Sequence, residues 1–581
     1  VLLAACGEDE DEATVSSTAA ATGTSDQVVA TPIEPDVQAT VTSSDGEPTA
    51  TSDESEPSVT ADATTGSTDP MNYYGLPIEP VGDVGGTLVR GSSFVLYNGY
   101  LILASNGINE MFEPLTDLHP ETGEPLPLLA ESWEAASDGL TWTFTLRGDV
   151  TFQDGEPFLA EDVKFTVELL NAGGWGTDPL TQSTATVIDD RTVEFTFDAP
   201  AIETTFALYY YAIRAKHVLA DLDPATADNN TISTHPGSTG LDPSKVVGTG
   251  PFVFQEIISD DRMVLAAYEG YWRGRPNLDS LIVRTFASLD ALPTALLAGE
   301  IDLAGFMYSS LNPAQALLFE GADVTVEDFP EVLLLNCVTN LDPEKTTLFQ
   351  DKLVRQALLY AIDREALVEG ILFGYGSVPD SILATPMAIN LDDLTVHYDY
   401  DADKAAQLLD EAGWVAGPDG VREKNGQKLA FTGWYVSADT VLESTALAVQ
   451  EYWRAIGVDM TPQGEDQSAL FVRVEEQRDF EVVFWDNWSN NTLDQRWLVD
   501  GSSDMAYTNP ELEALAIQAA TELDADRRRA LRTEVENLIM EELPIAPLMS
   551  RRGIVAIRNG VHNIIPNAND FYFNVATWWV E

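Results

Sequence analysis

Residues able to do chemistry are plentiful in this 581-residue chain, and they fall in no catalytic or metal-binding pattern. The five histidines, His119, His217, His235, His397 and His562, are scattered, with no HExxH and no cluster, so a histidine zinc site lacks its ligands. Asp399, Asp401 and Asp403 have calcium-loop spacing, but Lys404 stands where that loop needs glycine, and a helix start is the better reading. Gly248-Thr249-Gly250-Pro251 lacks the Gly-Lys-Ser/Thr continuation of a phosphate loop and reads as a tight turn. Cys6 and Cys337 offer no metal spacing. With 95 Asp and Glu in the chain, a glycosidase-like carboxylate pair can always be found and therefore discriminates nothing. No metal or cofactor is expected, and a glycosidase is the enzyme class left to weigh.

The elements that would position a binding site are clearest from Leu129 to Leu170. Leu140, Trp142, Phe144 and Leu146 alternate with Thr141, Thr143, Thr145 and Arg147, the period of two of a strand with one buried face. Val150 and Phe152 suggest a second short strand running into Asp154-Gly155, a dipeptide suited to a tight turn. Behind Glu161 and Asp162, residues Val163, Val167 and Leu170 recur at helical spacing, and the two carboxylates suit the positive end of a helix dipole. Farther on, residues 509–549 carry two helical runs that end at Pro544.

Composition narrows the partners. The net charge is -65, with 30 Lys and Arg, which repels nucleic acid; so dense a carboxylate surface also suits a high-salt medium. No apolar run reaches the roughly 18 residues that a spanning helix needs. Residues 7–80 are rich in Thr, Ser, Ala, Asp, Glu and Pro, cannot bury enough surface to fold, and as a flexible tether would span on the order of 45 Å. Leu3-Ala4-Ala5-Cys6 resembles a lipoprotein cleavage motif, with Cys6 as the lipidated residue.

The run LAESWE…SDGLTWTFTLRGDVTFQDGEPF.AEDVKFTVE closely resembles the signature of the family 5 extracellular solute-binding proteins of ABC importers. Further blocks follow in that family's order: Val247 to Phe252, Tyr271 to Asp279, Ala298 to Leu303, Val354 to Glu365, Ala405 to Trp414 and Gln450 to Val458. The resemblance implies an α/β, two-lobed periplasmic-binding-protein-like fold, type II, of the large class with an additional small domain. The implied division is a lipoprotein signal end at 1–6, the tether at 7–80, and lobe I at 81–106, 246–335 and 549–581. The small domain would take 107–245, and lobe II 336–548.

The function implied is capture of an oligopeptide or similar extended solute between the lobes, for delivery to ABC permease and ATPase subunits. The protein would be a monomer, extracytoplasmic, held to a membrane by lipid on Cys6. In oligopeptide binders a strand reading W.ADY supplies an aspartate that pairs with the peptide's amino terminus. Here the strand reads Phe480 to Trp488, FEVVFWDNW; that aspartate falls at Trp488, so the anchor is either missing or moved to Asp486. Expected ligand contacts are Ser93, Phe94, Trp175, Trp434, Trp485, Asp486, Asn487, Trp488 and Tyr572. The twelve tryptophans would also suit stacking on sugar faces, so an oligosaccharide ligand, or a ligand-sensing rather than transporting role, stays open. Glu110 and Glu113 are expected to be solvated, and Cys337 a buried inert thiol.

Overall fold

A computed structural model describes residues 78–79, 84–92, 110–120, 125–173, 183–198, 200, 211–240, 242–259, 261–305, 310–383, 391, 394–437, 439–488, 505–566 and 573–581. The first described strand, β1 (Thr87–Ser92), belongs to a large sheet completed much later in the chain. The chain then builds a four-stranded antiparallel sheet from β2 (Ala130–Ala135), β3 (Thr141–Leu146), β4 (Thr184–Asp189) and β5 (Thr192–Thr196), in the order β2-β3-β5-β4. The alternation predicted for β3 is present: Trp142, Phe144 and Leu146 are buried and the threonines between them half-buried. Helix α1 (Ala160–Ala172) packs Val163 and Val167 into the same core. Its first turn lacks a side-chain acceptor at Leu159, and Asp162 Oδ2 takes the Leu159 N–H instead, at 3.0 Å. The second strand expected around Val150 and Phe152 is reduced to one bridge between Thr151 and Pro157, because the turn at Gly155 (φ +93°) closes after a single pair.

This small sheet is joined to the next unit by half-buried polar contacts. Gln153 Nε2 donates to Gly250 O at 3.0 Å and Phe252 O at 2.7 Å. A Cβ at Gly248 would lie 2.0 Å from Met111 O, which explains the glycine by close backbone approach. Contrary to the expectation of solvated carboxylates, Glu110 and Glu113 are both buried. Glu113 accepts from Tyr271 Oη at 2.7 Å and Trp272 Nε1 at 3.0 Å, and burial pushes its carboxyl above the usual range against those two donors.

The large sheet then grows through β6 (Phe252–Ile258), β7 (Arg262–Ala267), β8 (Ser280–Thr285) and β9 (Leu303–Ala304). Next comes β10 (Val324–Thr339), then β11 (Gly376–Ser377), β12 (Ala430–Val436), β13 (Asp459–Glu465), β14 (Val482–Trp488) and β15 (Ile545–Arg558). Its order is β13-β12-β14-β10-β15-β9-β1-β8-β7-β6, with β11 on β15. β10 is 16 residues long, and with β15 it runs through both halves of the sheet. Two of the larger apolar cores lie along this pair. One contains Phe329, Val555 and Ile557 with β1 and β6 to β8; the other contains Leu335, Leu548 and Met549 with β12 to β14 and the surrounding helices. The β10–β15 ladder shifts register between Pro330 and Leu334, and again between Leu335 and Asn336. A pair of strands loses its regular bonding at such bulges and bends there, so the break sits where the chain passes from one core to the other.

In the second core, helix α2 (Thr440–Ala455) connects β12 to β13. Trp453 of α2 is fully buried, 5.7 Å from Phe431 and 6.2 Å from Phe484 between ring centroids. The predicted late helices are Pro510–Thr521 and Ala525–Glu542, and the expected helix start at Asp401 is present as a cap on the Lys404 N–H at 2.8 Å. Cys337 is buried, and burial pushes its thiol up to about 12. No helix among the described residues is long and apolar enough to cross a membrane.

Candidate functional site

Strands β12, β13 and β14 are mutually parallel with β12 in the middle. The chain leaves β12 for β13 on one side and then reaches β14 on the other, so the strand order reverses at β12. In open α/β sheets the crevice beyond the carboxyl ends at such a reversal is where ligands bind. Three groups meet at that edge: the end of β14, the amino end of α2, and the stretch of β15 opposite the register break.

Asp486 is the third residue from the end of β14, opposite Leu335 of β10. Its Oδ2 accepts from Arg551 Nη1 at 2.6 Å, and the two side chains are 18% and 17% exposed. Arg551 pairs with Gly376 of β11 and falls in the gap between Ser550, opposite Leu334, and Arg552, opposite Pro330. Asp439 caps α2, taking the N–H groups of Val441 and Leu442 at 2.8 and 3.0 Å, and its Oδ2 lies 3.9 Å from Arg551 Nη1. Asp486 Oδ1 is buried with no hydrogen-bond donor among the described residues. Burial pushes the Asp486 carboxyl above the ordinary carboxylate range, Arg551 pulls it back, and Asp439 raises it further. Two carboxylates around one guanidinium leave a net negative charge, with one acceptor oxygen open: the arrangement suits a ligand ammonium.

The other face of the same edge is closed. Trp434 of β12 pairs with Val483, and strand alternation places it and Trp485 on the side opposite Asp486. The Arg473 guanidinium lies 4.0 Å over the Trp434 ring and is held by Glu465 through two bonds, 2.7 Å from Nε to Oε2 and 3.0 Å from Nη2 to Oε1. Trp485 is half-buried and packs against the core. Neither ring is a bare stacking platform on the described side. Trp434 Nε1 and Asn336 Oδ1 are buried without a partner among the described residues.

Of the expected contacts, the structure brings Asp486 to the crevice and places Trp434 and Trp485 on the opposite face. Asn487 and Trp488 end β14 opposite Leu334 and Leu333. Ser93, Phe94, Trp175, Tyr572 and Cys6 lie outside the described residues. Arg551 and Asp439 were missed. Arg551-Arg552, a double cation inside the apolar run IAPLMSRRGIVAIR of a chain with 30 basic residues, was the available signal. Among the described residues no three or more His, Cys, Asp or Glu are grouped to hold a metal ion.

Residues 124–507 match the family described as bacterial extracellular solute-binding proteins, family 5 middle. The oligopeptide-binding protein AppA of Bacillus subtilis is 27% identical over 518 residues, covering 85% of this chain and 92% of its own length. The nickel-binding periplasmic protein of Escherichia coli is 28% identical over 394 residues, 65% of this chain and 70% of its own. Among solved structures, B. subtilis AppA in complex with a nonapeptide superposes with a TM-score of 0.68 at 25% identity, covering 86% of this chain and 99% of that one. NikA from Brucella suis in complex with Fe(III)-EDTA gives 0.73 at 24% identity, with coverages of 85% and 100%.

Proposed function

Because the chain belongs to the family 5 bacterial extracellular solute-binding proteins, which serve ABC importers, we propose that its solute is an oligopeptide held by its free amino terminus at Asp486. The observation that carries this is the buried, unpaired Oδ1 of Asp486 beside a pinned arginine. A buried acceptor with nothing to accept costs free energy, and a ligand ammonium would remove that cost while supplying the missing positive charge. The nonapeptide carried by B. subtilis AppA, a relative 27% identical in sequence, favours the same ligand class.

The fold supplies the rest of the reading. β10 and β15 join the two cores, and their register break is the natural place for the hinge of a two-lobed trap. Closure over a ligand expels water, lowers the local dielectric and strengthens the contact between ammonium and carboxylate. The closed shape is then the one a permease would recognise, with a separate ATPase supplying energy. A monomer tethered outside the membrane through lipid on Cys6, with residues 7–80 as spacer, completes the proposal.

The test is native mass spectrometry of the full chain with three pools: free-amino peptides, the same peptides N-acetylated, and mixed oligosaccharides. Adducts with the free-amino pool, lost on N-acetylation and in Asp486→Asn, are expected. Equal binding of the acetylated pool would overturn the amino-terminal anchor, and sugar adducts alone would overturn the peptide reading.

A further inference from the structure

Resting on the amino-terminal anchor just described, we propose that Arg551 is the positioning residue that keeps Asp486 ionised and aimed, with Oδ2 held and Oδ1 left open for the ligand. The geometry has three parts. First, the 2.6 Å contact to Nη1 uses one carboxylate oxygen and fixes the plane of the group, so the second oxygen has a set direction. Second, Arg551 is itself positioned by backbone: it sits in the gap of the β10–β15 ladder and is paired on its other side with Gly376. A Cβ on Gly376 would lie 2.9 Å from Ser550 O and 2.5 Å from Leu372 Cδ1, so β11 can come this close only as glycine. Third, a second carboxylate, Asp439, lies 3.9 Å from the same Nη1, so two anions hold that nitrogen at the edge.

The groups around Asp486 define what losing the cation would do. From β15 comes Arg551. From the start of α2 come Asp439, and Glu443 one turn on. From β12, on the same face of the sheet, comes Tyr435; from β10, opposite, comes the apolar Leu335. Arg551 is the only cation among these. Burial and Asp439 both favour the protonated carboxyl, and Arg551 opposes them. Without Arg551 the carboxyl takes up a proton at higher pH, and a neutral carboxyl is a poor partner for an ammonium. The family's usual strand sequence is absent here, and this arginine is what lets an aspartate at position 486 do the work.

The experiment follows binding of the free-amino peptide pool by native mass spectrometry from about pH 5.5 to about pH 8, for wild type, Arg551→Gln, Arg551→Lys and Asp486→Asn. In Arg551→Gln, binding is expected to weaken about tenfold for each unit of pH below the new midpoint, with wild type nearly flat and Arg551→Lys restoring the flat profile. A uniform loss at all pH values would mean that Arg551 only supports the fold, and would overturn the proposal; so would an unchanged profile. Melting temperatures of Arg551→Gln and of the Arg551→Gln/Asp486→Asn double variant across the same range give a ligand-free readout. They should diverge as pH rises, since only the first carries a carboxyl that must ionise while buried. If Asp486→Asn binds the pool as wild type does, or if wild type binds none of it, the anchor reading fails; the melting curves then judge Arg551 separately.

Discussion

Two arginines meet carboxylates at the carboxyl edge of the same three parallel strands, and they are held differently. On one face Arg473 gives Glu465 a bond to each oxygen and lies flat on Trp434. On the other, Arg551 gives Asp486 one bond, to Oδ2, and Oδ1 is buried and unpaired among the described residues. The consequences for the carboxyls are opposite in sign: Arg473 holds Glu465 below the usual range, whereas burial pushes Asp486 above it despite Arg551. A fully used carboxylate ties two elements together, and a half-used one is a receptor that the fold maintains at some cost. An arginine–carboxylate pair thus ties structure on one side of the sheet and, on the proposed reading, serves recognition on the other.

The sharpest way to break this comparison is to neutralise each carboxylate in turn and measure peptide binding. Asp486→Asn should lower affinity for free-amino peptides on the order of a hundredfold or more, the loss typical of a desolvated charge pair. Glu465→Gln should leave it within about twofold. Comparable losses in both would mean that the two faces form one site.

Stability should order the two variants the other way. Glu465 has a folded-state pKa below its unfolded value, so its contribution is present above the unfolded pKa and is lost as pH falls through the folded one. Glu465→Gln should therefore cost about 1 kcal/mol near neutral pH, vanishing in acid. Asp486 has the opposite shift: the stability linked to its protonated form is complete below the unfolded pKa and is lost as pH rises through the folded one. At neutral pH Asp486→Asn should hold or raise the melting temperature. Calorimetry at acid and neutral pH checks both signs, and a destabilised Asp486→Asn would make that aspartate another tie.

What could be read in advance follows from the range of the interactions. The small sheet was legible because its signals are local: alternation in Thr141 to Leu146, and a helix opened by Asp162. The length of β10 was not, since Val324 to Pro330 is held as strand by Ile557 and its neighbours, more than 220 residues away. Glu113 was misjudged for the same reason, its donors Tyr271 and Trp272 lying 158 and 159 positions on. At the proposed site, the family's strand sequence points to Asp486, but nothing near it in the chain announces its partner Arg551, 65 residues later. Nor does anything near Trp434, one of the expected contacts, announce Arg473, which reaches that ring from the segment after β13.

A third prediction tests the hinge on which both faces depend. Gly553 of β15 pairs with Phe329 of β10, beside the register break, and a Cβ there would lie 2.2 Å from the Phe329 ring. Gly553→Ala should destabilise the chain by about 1–3 kcal/mol, the usual cost of overpacking. Because the strain falls on the strands that link the two cores, peptide affinity should fall with it, whereas a cavity variant deep in the second core, such as Val449→Ala, should lower the melting temperature alone.

The smallest effect concerns a contact that neither anchors ligand nor ties one lobe to itself. Asn312, which caps the turn at Pro313–Ala316 beside the core of Leu292, Leu311 and Phe319, donates from Nδ2 to Thr440 Oγ1 at 3.1 Å. Thr440 is the first residue of α2 and adjoins Asp439, so this exposed bond joins that core to the start of α2 next to the proposed anchor. Thr440→Val removes the acceptor while leaving the Asn312 cap on Ala314 and the Asp439 cap on α2 in place. One exposed neutral hydrogen bond is worth about 0.5 kcal/mol, so the expected loss of peptide affinity is about twofold, read by titration calorimetry. A loss as large as that of Asp486→Asn would move the centre of recognition from the carboxylate at the floor to the contact between lobes. No loss would leave the half-used aspartate and its arginine as the parts of this edge that the ligand feels.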